Sequence, residues 1–145
     1  MADDLDALGG MEAPDMGRAL RGLGLNLLVR DVLTEVAFLA EVFGMRTLRA
    51  DRDFAFMAYG EQVFQVHPDH TYHSNPLPSL VPEAGPRGGG LEIRLYETDP
   101  EDAVKRAETL GGHILQVPTD KPHGLREAYI LDPNGYCWVP SRPLR

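Results

Sequence analysis

A chain of 145 residues with 43% hydrophobic residues is long enough to form one domain with a sizeable core. Its formal net charge of -8 disfavours nucleic acid and anionic membranes as partners, and no apolar run is long enough to span a bilayer. The single cysteine, Cys137, excludes an intrachain disulfide, and the acidic N-terminus lacks the apolar core of a signal peptide, so we predict a cytoplasmic protein.

The N-terminal segment, residues 1–21, combines glycines and a proline with acidic residues, and we predict a flexible arm. The alternative is an arm that docks on a partner subunit through its apolar residues Leu5, Leu8, Met11 and Met16. A first strand follows at Leu23–Val29. Asp31 is placed to cap a helix that runs to Phe43, and Gly44 ends this helix.

Three short strands complete the first half of the chain, at Met45–Leu48, Phe54–Tyr59 and Gln62–His67. Turn residues separate them, which predicts an antiparallel meander. The proline-rich segment 69–89 is predicted to be a linker between module one, residues 22–68, and module two, residues 90–141.

The second half repeats the pattern of the first. Leu91, Ile93 and Leu95 alternate with polar residues, as in a strand with two different faces. Asp99 is placed to cap a helix that Gly111 ends, and three strands follow at His113–Val117, Leu125–Leu131 and Tyr136–Val139. The sequence therefore predicts an α+β fold of two βαβββ modules, which form an open curved mixed sheet with a cleft and one helix per module outside.

Three stretches of this sequence resemble a known family: LNLLVRDVLTEVAFLAEVFGM, GLEIRLYETDPEDAVKRAETLGG and GLREAYILDPNGYCW. They resemble the vicinal oxygen chelate superfamily, which includes glyoxalase I, extradiol dioxygenases, fosfomycin-resistance enzymes and bleomycin-resistance proteins. The resemblance covers about residues 22–141 and implies a single glyoxalase/bleomycin-resistance-like domain. It also implies a homodimer, because the family often builds its sites from two modules within or between chains.

The resemblance also bears on a metal cofactor. Metal-dependent members of the family hold a divalent ion with four side chains, and the resemblance places these positions at Gly24, Gln65, Glu92 and Val139. Because Gly24 and Val139 offer no side-chain donor, we expect no metal cofactor. The alternative is one divalent metal such as Zn, Mn or Fe, with ligands drawn from Gln65, Glu92, His67 and His70; the two histidines belong to an H-x2-H-x2-H cluster that His73 completes.

We predict that a ligand in the cleft contacts polar side chains from both modules: Asn26, Gln65, His67, Glu92, Arg94, Tyr96 and His123. Asn26 lies on the cleft-facing side of an otherwise apolar strand, where a buried amide needs partners. Arg94 is suited to clamp a carboxylate or phosphate, and an internal ion pair with Glu92 on the same strand face is the alternative. Tyr96 is either a ligand contact or a rim residue, and His123 belongs either to a loop that covers the cleft or to an exposed loop.

The catalytic residues stay open, with Glu92 and His67 as the candidates for a general acid or base. The leading hypothesis is a metal-independent protein that binds a small organic molecule, with a carboxylate as one option for its charged group. The alternative is a divalent-metal-dependent lyase, isomerase or dioxygenase of the same superfamily. A third hypothesis is a subunit with a vestigial cleft that acts through dimerisation.

Overall fold

The computed structural model describes residues 2–145, which form two compact units that each contain one four-stranded sheet. The first unit contains the chain up to Ala40 together with Gly44–Pro78, and the second contains Glu41–Phe43 and Ser79–Arg145. Both halves have the predicted order of strand, helix and three strands, so the α+β fold with two βαβββ modules is confirmed. Among the described residues, no helix is long and apolar enough to cross a membrane.

The N-terminal segment forms two helices, α1 at Ala2–Gly9 and α2 at Ala13–Ala19, where the sequence predicts a flexible arm. We call α1 and α2 the N-terminal helical pair. It packs on its own chain: Met16 is only 5% exposed, and Arg46 donates a hydrogen bond to the carboxylate of Asp6. The sequence does not indicate these helices, because they depend on tertiary contacts, whereas the glycines and acids of the segment are by themselves typical of disorder.

The first sheet has the strand order β1-β4-β3-β2, and β1 runs parallel to β4. Its strands are β1 at Asn26–Val29, β2 at Arg46–Asp51, β3 at Phe54–Tyr59 and β4 at Gln62–Pro68. The first strand starts at Asn26 rather than at Leu23, because its pairing with β4 begins there and Leu23 is 100% exposed.

The helix between β1 and β2, α3 at Val32–Phe43, has both of its predicted caps. The Asp31 side chain accepts a hydrogen bond from the backbone N–H of Thr34 at 3.1 Å, and Gly44 ends the helix with a φ of 69°. One apolar stripe of the helix is buried, and it consists of Val32, Val36, Leu39 and Phe43.

A long connection follows β4, as the sequence predicts, and it contains two short 3-10 turns at Asp69–Thr71 and Leu77–Leu80. Its last residues pack tightly against the turn that precedes the final strand. A Cβ atom added at Gly135 would lie 2.3 Å from the Cα of Pro86, and one added at Gly88 would lie 2.8 Å from the Cα of Tyr136. The end of the predicted linker is therefore an ordered part of the second unit.

The second sheet has the strand order β5-β8-β7-β6, and β5 runs parallel to β8. Its strands are β5 at Glu92–Leu95, β6 at His113–Asp120, β7 at Leu125–Leu131 and β8 at Cys137–Pro143. The predicted ends of β6 and β8 are too early. β6 continues through Pro118 because it lies at the edge of the sheet, where the missing N–H of a proline breaks no ladder bond.

The second helix, α4 at Pro100–Thr109, packs on β6, β7 and β8. Asp99 caps it as predicted, since its side chain accepts a hydrogen bond from the backbone N–H of Asp102 at 3.0 Å. Ala103 and Ala107 are both 0% exposed, so small side chains let this helix approach the sheet closely.

The turn before β8 is built around Asp132, which is 4% exposed. Its carboxylate accepts hydrogen bonds from the backbone N–H groups of Asn134 at 2.8 Å and Tyr136 at 3.1 Å. It also accepts one from the indole Nε1 of Trp138 at 2.8 Å. One buried acid thus orients both the turn and the tryptophan in the core of the second unit.

Candidate functional site

The first unit contains a pocket of about 440 Å³ beside β4 and α2. Its lining combines apolar, aromatic and polar side chains with one glycine: Ala13, Met16, Gly17, Leu20, Arg49, Asp53, Phe54, Gln65, His67, Thr71 and Tyr72. Two of the residues predicted to contact a ligand, Gln65 and His67, are therefore brought together in one pocket.

Two of the polar lining residues form a pair on β4. The Nε2 atom of His67 lies 2.9 Å from the Oε1 atom of Gln65. With the amide oxygen as acceptor, the ring carries its proton on Nε2, and Nδ1 is left as an acceptor. Burial lowers the pKa of His67 below its ordinary value of 6.5, so the ring is neutral at pH 7. The pair therefore offers hydrogen-bonding groups without a charge.

Aromatic rings surround His67. Its ring centroid lies 5.2 Å from that of Phe54 and 5.2 Å from that of Tyr72, both in tilted arrangements. Phe56 stacks with Phe54 at 6.3 Å and is itself 0% exposed, which fixes the position of Phe54 from below. These distances are those of favourable ring pairs, and the group can hold a planar ligand by stacking.

The charged groups of the pocket lie at its rim. Arg49 donates a hydrogen bond from one terminal nitrogen to the backbone oxygen of Met11 at 3.1 Å, and its guanidinium carbon lies 5.7 Å from the centroid of the Phe54 ring. Asp53 is paired with the imidazole of His70 at 2.7 Å. Among the described residues that line the pocket, Arg49 is the one guanidinium or ammonium group, so its charge is the positive one that an anion in this pocket would meet.

Asn26 differs from its prediction. It is exposed, so it is not the buried amide that the strand pattern indicates. β1 begins at this residue, and only the three positions after it are buried. Asn26 pairs in register with Gln65 and lines a separate recess of about 250 Å³ in the first unit.

A polar cluster lies on one face of the second sheet. Arg94 donates from one terminal nitrogen to Glu92 at 2.7 Å and from the other to Glu127. The hydroxyl of Tyr129 donates to the second carboxylate oxygen of Glu92 at 3.2 Å. Glu127 is 1% exposed, whereas the Glu92 side chain is 45% exposed. We call Glu92, Arg94, Glu127 and Tyr129 the carboxylate cluster.

Hydrogen bonds fix the charges in the carboxylate cluster. Burial on its own would lower the pKa of Arg94, but hydrogen bonds to Glu127 and Glu92 outweigh it and raise that pKa. Burial on its own would raise the pKa of Glu127, but the hydrogen bond and charge of Arg94 hold it below its ordinary value. Burial and the hydrogen bond to Glu92 raise the pKa of Tyr129. At neutral pH Arg94 is therefore a guanidinium cation, Glu127 a carboxylate and Tyr129 a neutral phenol.

The other predicted ligand residues of the second unit surround this cluster. The Nε2 atom of His123 lies 3.4 Å from Glu127, and the His123 side chain is 51% exposed in the loop before β7. Tyr96 is 56% exposed, and the guanidinium carbon of Arg94 lies 5.5 Å from its ring centroid. Because both terminal nitrogens of Arg94 already bind carboxylates, the arrangement is the internal ion pair that the sequence left open as the alternative.

A shallow recess of about 400 Å³ lies beside the cluster, lined by Glu92, Tyr129 and Cys137 together with leucines and glycine backbone. Burial, followed by the negative charges of Glu92 and Asp132, raises the pKa of the Cys137 thiol. The thiol therefore stays protonated at neutral pH, which disfavours a nucleophilic role.

Several residues of these sites were missed by the sequence analysis. Glu127 and Tyr129 alternate with the buried Ala128 and Ile130 along β7, and this period-two pattern would have placed both on the polar face. Arg49 and the residues of α2 had no comparable signal. Their role depends on how the N-terminal helical pair folds back onto the first unit.

The four positions that the resemblance assigns to a metal do not make a donor set. In the first unit, Gly24 has no side chain and Gln65 bonds to His67. In the second unit, Glu92 is held by Arg94, and Val139 faces Arg94 in the strand register, so a guanidinium takes the place of a cation there. No group of three or more His, Cys, Asp or Glu side chains within residues 2–145 is arranged to hold a metal ion. These residues do not fit a family metal.

Comparison with known proteins identifies a family. The sequence model of the Glyoxalase/Bleomycin resistance protein/Dioxygenase superfamily matches residues 23–139. A search of the curated proteins finds no match. The N-terminal helical pair lies before the matched residues.

Solved structures share the fold at low sequence identity. A glyoxalase/bleomycin resistance protein/dioxygenase family enzyme from Burkholderia phytofirmans is 19% identical, with a TM-score of 0.68 over 83% of this chain and 97% of that one. TioX from Micromonospora is 23% identical, with a TM-score of 0.60 over 86% of this chain and 100% of its own. The fosfomycin resistance protein FosX from Mesorhizobium loti is 18% identical, with a TM-score of 0.59 over 85% and 92%.

Proposed function

Because the chain belongs to the Glyoxalase/Bleomycin resistance protein/Dioxygenase superfamily, we propose that it binds a small organic molecule in the pocket of its first unit, without a complete family metal site. The observation that carries this proposal is the pocket of about 440 Å³. Its volume lies within the range of sites that hold drug-sized ligands, and its lining of apolar walls with a few converging polar groups is typical of such sites.

The lining supports a planar ligand with one acidic group. The rings of Phe54 and Tyr72 both lie beside His67, and the neutral His67 and Gln65 pair offers hydrogen bonds within the same lining. Arg49 supplies a positive charge at the rim, and its bond to Met11 orients it. An aromatic or heteroaromatic carboxylate, sulfonate or similar anion satisfies all three features.

The carboxylate cluster supports this role less well. Both terminal nitrogens of Arg94 are bound to Glu92 and Glu127, so a ligand carboxylate would have to displace an internal carboxylate to reach Arg94. A reaction that depends on a divalent metal, the other function considered, is not supported by the donor set at Gln65, Glu92 and the remaining family positions.

The direct test is a fluorescence titration with 8-anilinonaphthalene-1-sulfonate, an aromatic anion that suits the lining. Tyr72→Ala is expected to weaken its binding about five-fold, which corresponds to the loss of one ring contact of about 1 kcal/mol. Tyr96→Ala is the matched control, because Tyr96 is an exposed tyrosine that lies outside this pocket. Binding that is lost in Tyr96→Ala and retained in Tyr72→Ala would move the ligand to the second unit.

The assembly belongs to the same proposal. The family resemblance supports a homodimer, and the single cysteine suits the reducing cytoplasm that the sequence predicts. Light scattering of the purified protein measures the mass of the particle directly. A monomer at all concentrations would remove the dimer from the proposal and leave the pocket unaffected.

A further inference from the structure

The N-terminal helical pair lies outside the family domain and yet reaches the pocket of the first unit. The family match begins at residue 23, and α2 ends at Ala19. Four of the pocket-lining residues come from α2 and the residue after it: Ala13, Met16, Gly17 and Leu20. We infer that this added helical pair is the wall of the pocket that determines which ligands fit. This inference rests on the proposed function.

The spacing of these residues shows that one helix face forms the wall. Positions 13, 16, 17 and 20 follow the i, i+3, i+4, i+7 pattern, which places them on one side of an α-helix. Arg18 lies between them in sequence but points elsewhere, since its side chain is 73% exposed and pairs with Asp15 at 2.7 Å. The helix therefore has a face toward the pocket and a face toward solvent.

The helical pair packs on β2 through specific contacts. Gly9 packs so closely on Leu48 that an added Cβ would lie 2.9 Å from the Leu48 Cβ and 2.9 Å from its backbone oxygen. Arg46 binds Asp6 of α1, and Arg49 binds the backbone oxygen of Met11 between the helices. Contacts of this kind hold α2 at one distance from the opposite side of the pocket.

Arg49 contacts both the helical pair and the proposed ligand pocket. The same guanidinium binds Met11 and lies over the ring of Phe54, which lines the pocket. The position of the helical pair therefore sets both the distance between the walls and the direction of the charge that receives an anion.

Gly17 is the place where the wall can be changed. It lines the pocket, and apart from its chain neighbours and the backbone of its own helix no atom lies within 4 Å of a Cβ added there. A larger side chain at this position would extend into open pocket space. Because Gly17 lies inside a helix and has no positive φ, replacement by leucine also raises helix propensity, so the variant is expected to fold.

The experiment compares two aromatic sulfonates of different size by calorimetric titration, 8-anilinonaphthalene-1-sulfonate and the smaller naphthalene-1-sulfonate. Gly17→Leu is expected to weaken the larger probe about ten-fold and to keep the affinity of the smaller one within about two-fold. Arg18→Leu places the same side chain on the solvent face of the same helix, and both affinities are expected to stay within about two-fold of those of the unaltered protein.

Each outcome decides between the two proposals. A Gly17→Leu variant that binds the larger probe like Arg18→Leu, or loses both probes equally, would overturn the inference about the wall. If Tyr72→Ala still weakens binding in that case, the pocket remains the ligand site and only the role of the helical pair falls. If Tyr72→Ala has no effect either, the proposed function falls with it.

Discussion

Replacing Arg94 by methionine tests how much the carboxylate cluster contributes to the stability of the fold. The variant keeps most of the aliphatic stem and removes the charge, which leaves Glu127 ionised at 1% exposure without its guanidinium. Breaking a buried ion pair costs about 3–5 kcal/mol. The low end applies, because the Arg94 side chain is 22% exposed and water can reach part of the vacated space.

The second partner of Arg94 adds little to this figure. The Glu92 side chain is 45% exposed, and ion pairs of exposed groups contribute about 0–1 kcal/mol. We therefore expect Arg94→Met to lower the free energy of unfolding by about 3 kcal/mol, which is roughly 6–12 °C in Tm for a domain of this size. Urea unfolding followed by the fluorescence of Trp138, the single tryptophan, measures the change in the second unit.

Two further variants test whether the unpaired charge of Glu127 causes the loss of stability in Arg94→Met. Arg126→Met makes the same substitution on β7, but Arg126 pairs with the more exposed Glu101 and Asp120, so the loss of stability is expected to be much smaller than in Arg94→Met. The double variant Arg94→Met with Glu127→Gln removes the buried charge together with its partner. It is expected to be more stable than Arg94→Met alone, because the uncompensated carboxylate is gone.

The pH dependence of the free energy of unfolding tests the same explanation independently. In the unaltered protein the pKa of Glu127 lies below its ordinary value of 4.5. The ionised Glu127 therefore stabilises the folded state at pH values above 4.5, and this contribution is lost as the pH falls through the pKa of the folded state. In Arg94→Met, burial outweighs the remaining contact with His123 and raises the pKa of Glu127, so the loss of stability is largest at neutral pH and is relieved on acidification. The stability difference between the two proteins should therefore shrink from pH 7 to pH 5. A constant difference, or one no larger than that of Arg126→Met, would refute this reasoning.

Two other changes test the ligand site and the turn of the second unit. Arg49→Met is expected to weaken 8-anilinonaphthalene-1-sulfonate about five-fold and to leave the uncharged N-phenyl-1-naphthylamine unchanged; equal losses in fluorescence titrations would remove Arg49 as the anion contact. Gly135→Ala is expected to lower the free energy of unfolding by about 3 kcal/mol or more, because its φ of 82° is strained and its Cβ would lie 2.3 Å from Pro86. Gly124→Ala has a φ of 91° but open space, so urea unfolding should show a loss of only about 1–2 kcal/mol; similar losses would count against the close contact.

The parts of the fold that the sequence predicts well are those with local signals. Asp31 and Asp99 cap their helices through hydrogen bonds to nearby backbone N–H groups, and Gly44 ends α3 in a left-handed conformation. Such signals depend on a few neighbouring residues, and they placed both helices and the βαβββ order. The strands β3 and β7 also have their predicted bounds, since turn residues flank them on both sides.

The missed features depend on contacts between distant residues. The helical pair needs the Asp6 and Arg46 pairing, whose partners are 40 residues apart, and no local pattern indicates it. Extension of β8 to Pro143 depends on pairing with the start of β7 at Leu125. The local sequence indicates the helix or strand propensity of a segment, but it does not indicate the surface on which the segment packs.

The same distinction between local signals and distant contacts applies to the candidate site residues. Gln65 and His67 were predicted to act together because residues two apart share a strand face, and β4 holds them 2.9 Å apart. Arg94 was predicted to be near Glu92 by the same rule, but its stronger partner Glu127 comes from a strand 33 residues later. Whether an arginine is available to a ligand therefore depends on residues that its own strand does not reveal.

The edge of the second sheet has a consequence for association between molecules. β6 exposes Leu115 and Val117, which are 58% and 63% exposed, and an apolar edge strand of this kind is a template for uncontrolled strand addition and aggregation. Two register irregularities interrupt the ladder of β6 on either side of Gln116, and Pro118 removes one backbone donor. An interrupted ladder is a poor template for a regular added strand, so these irregularities and Pro118 protect this edge from fibrous assembly.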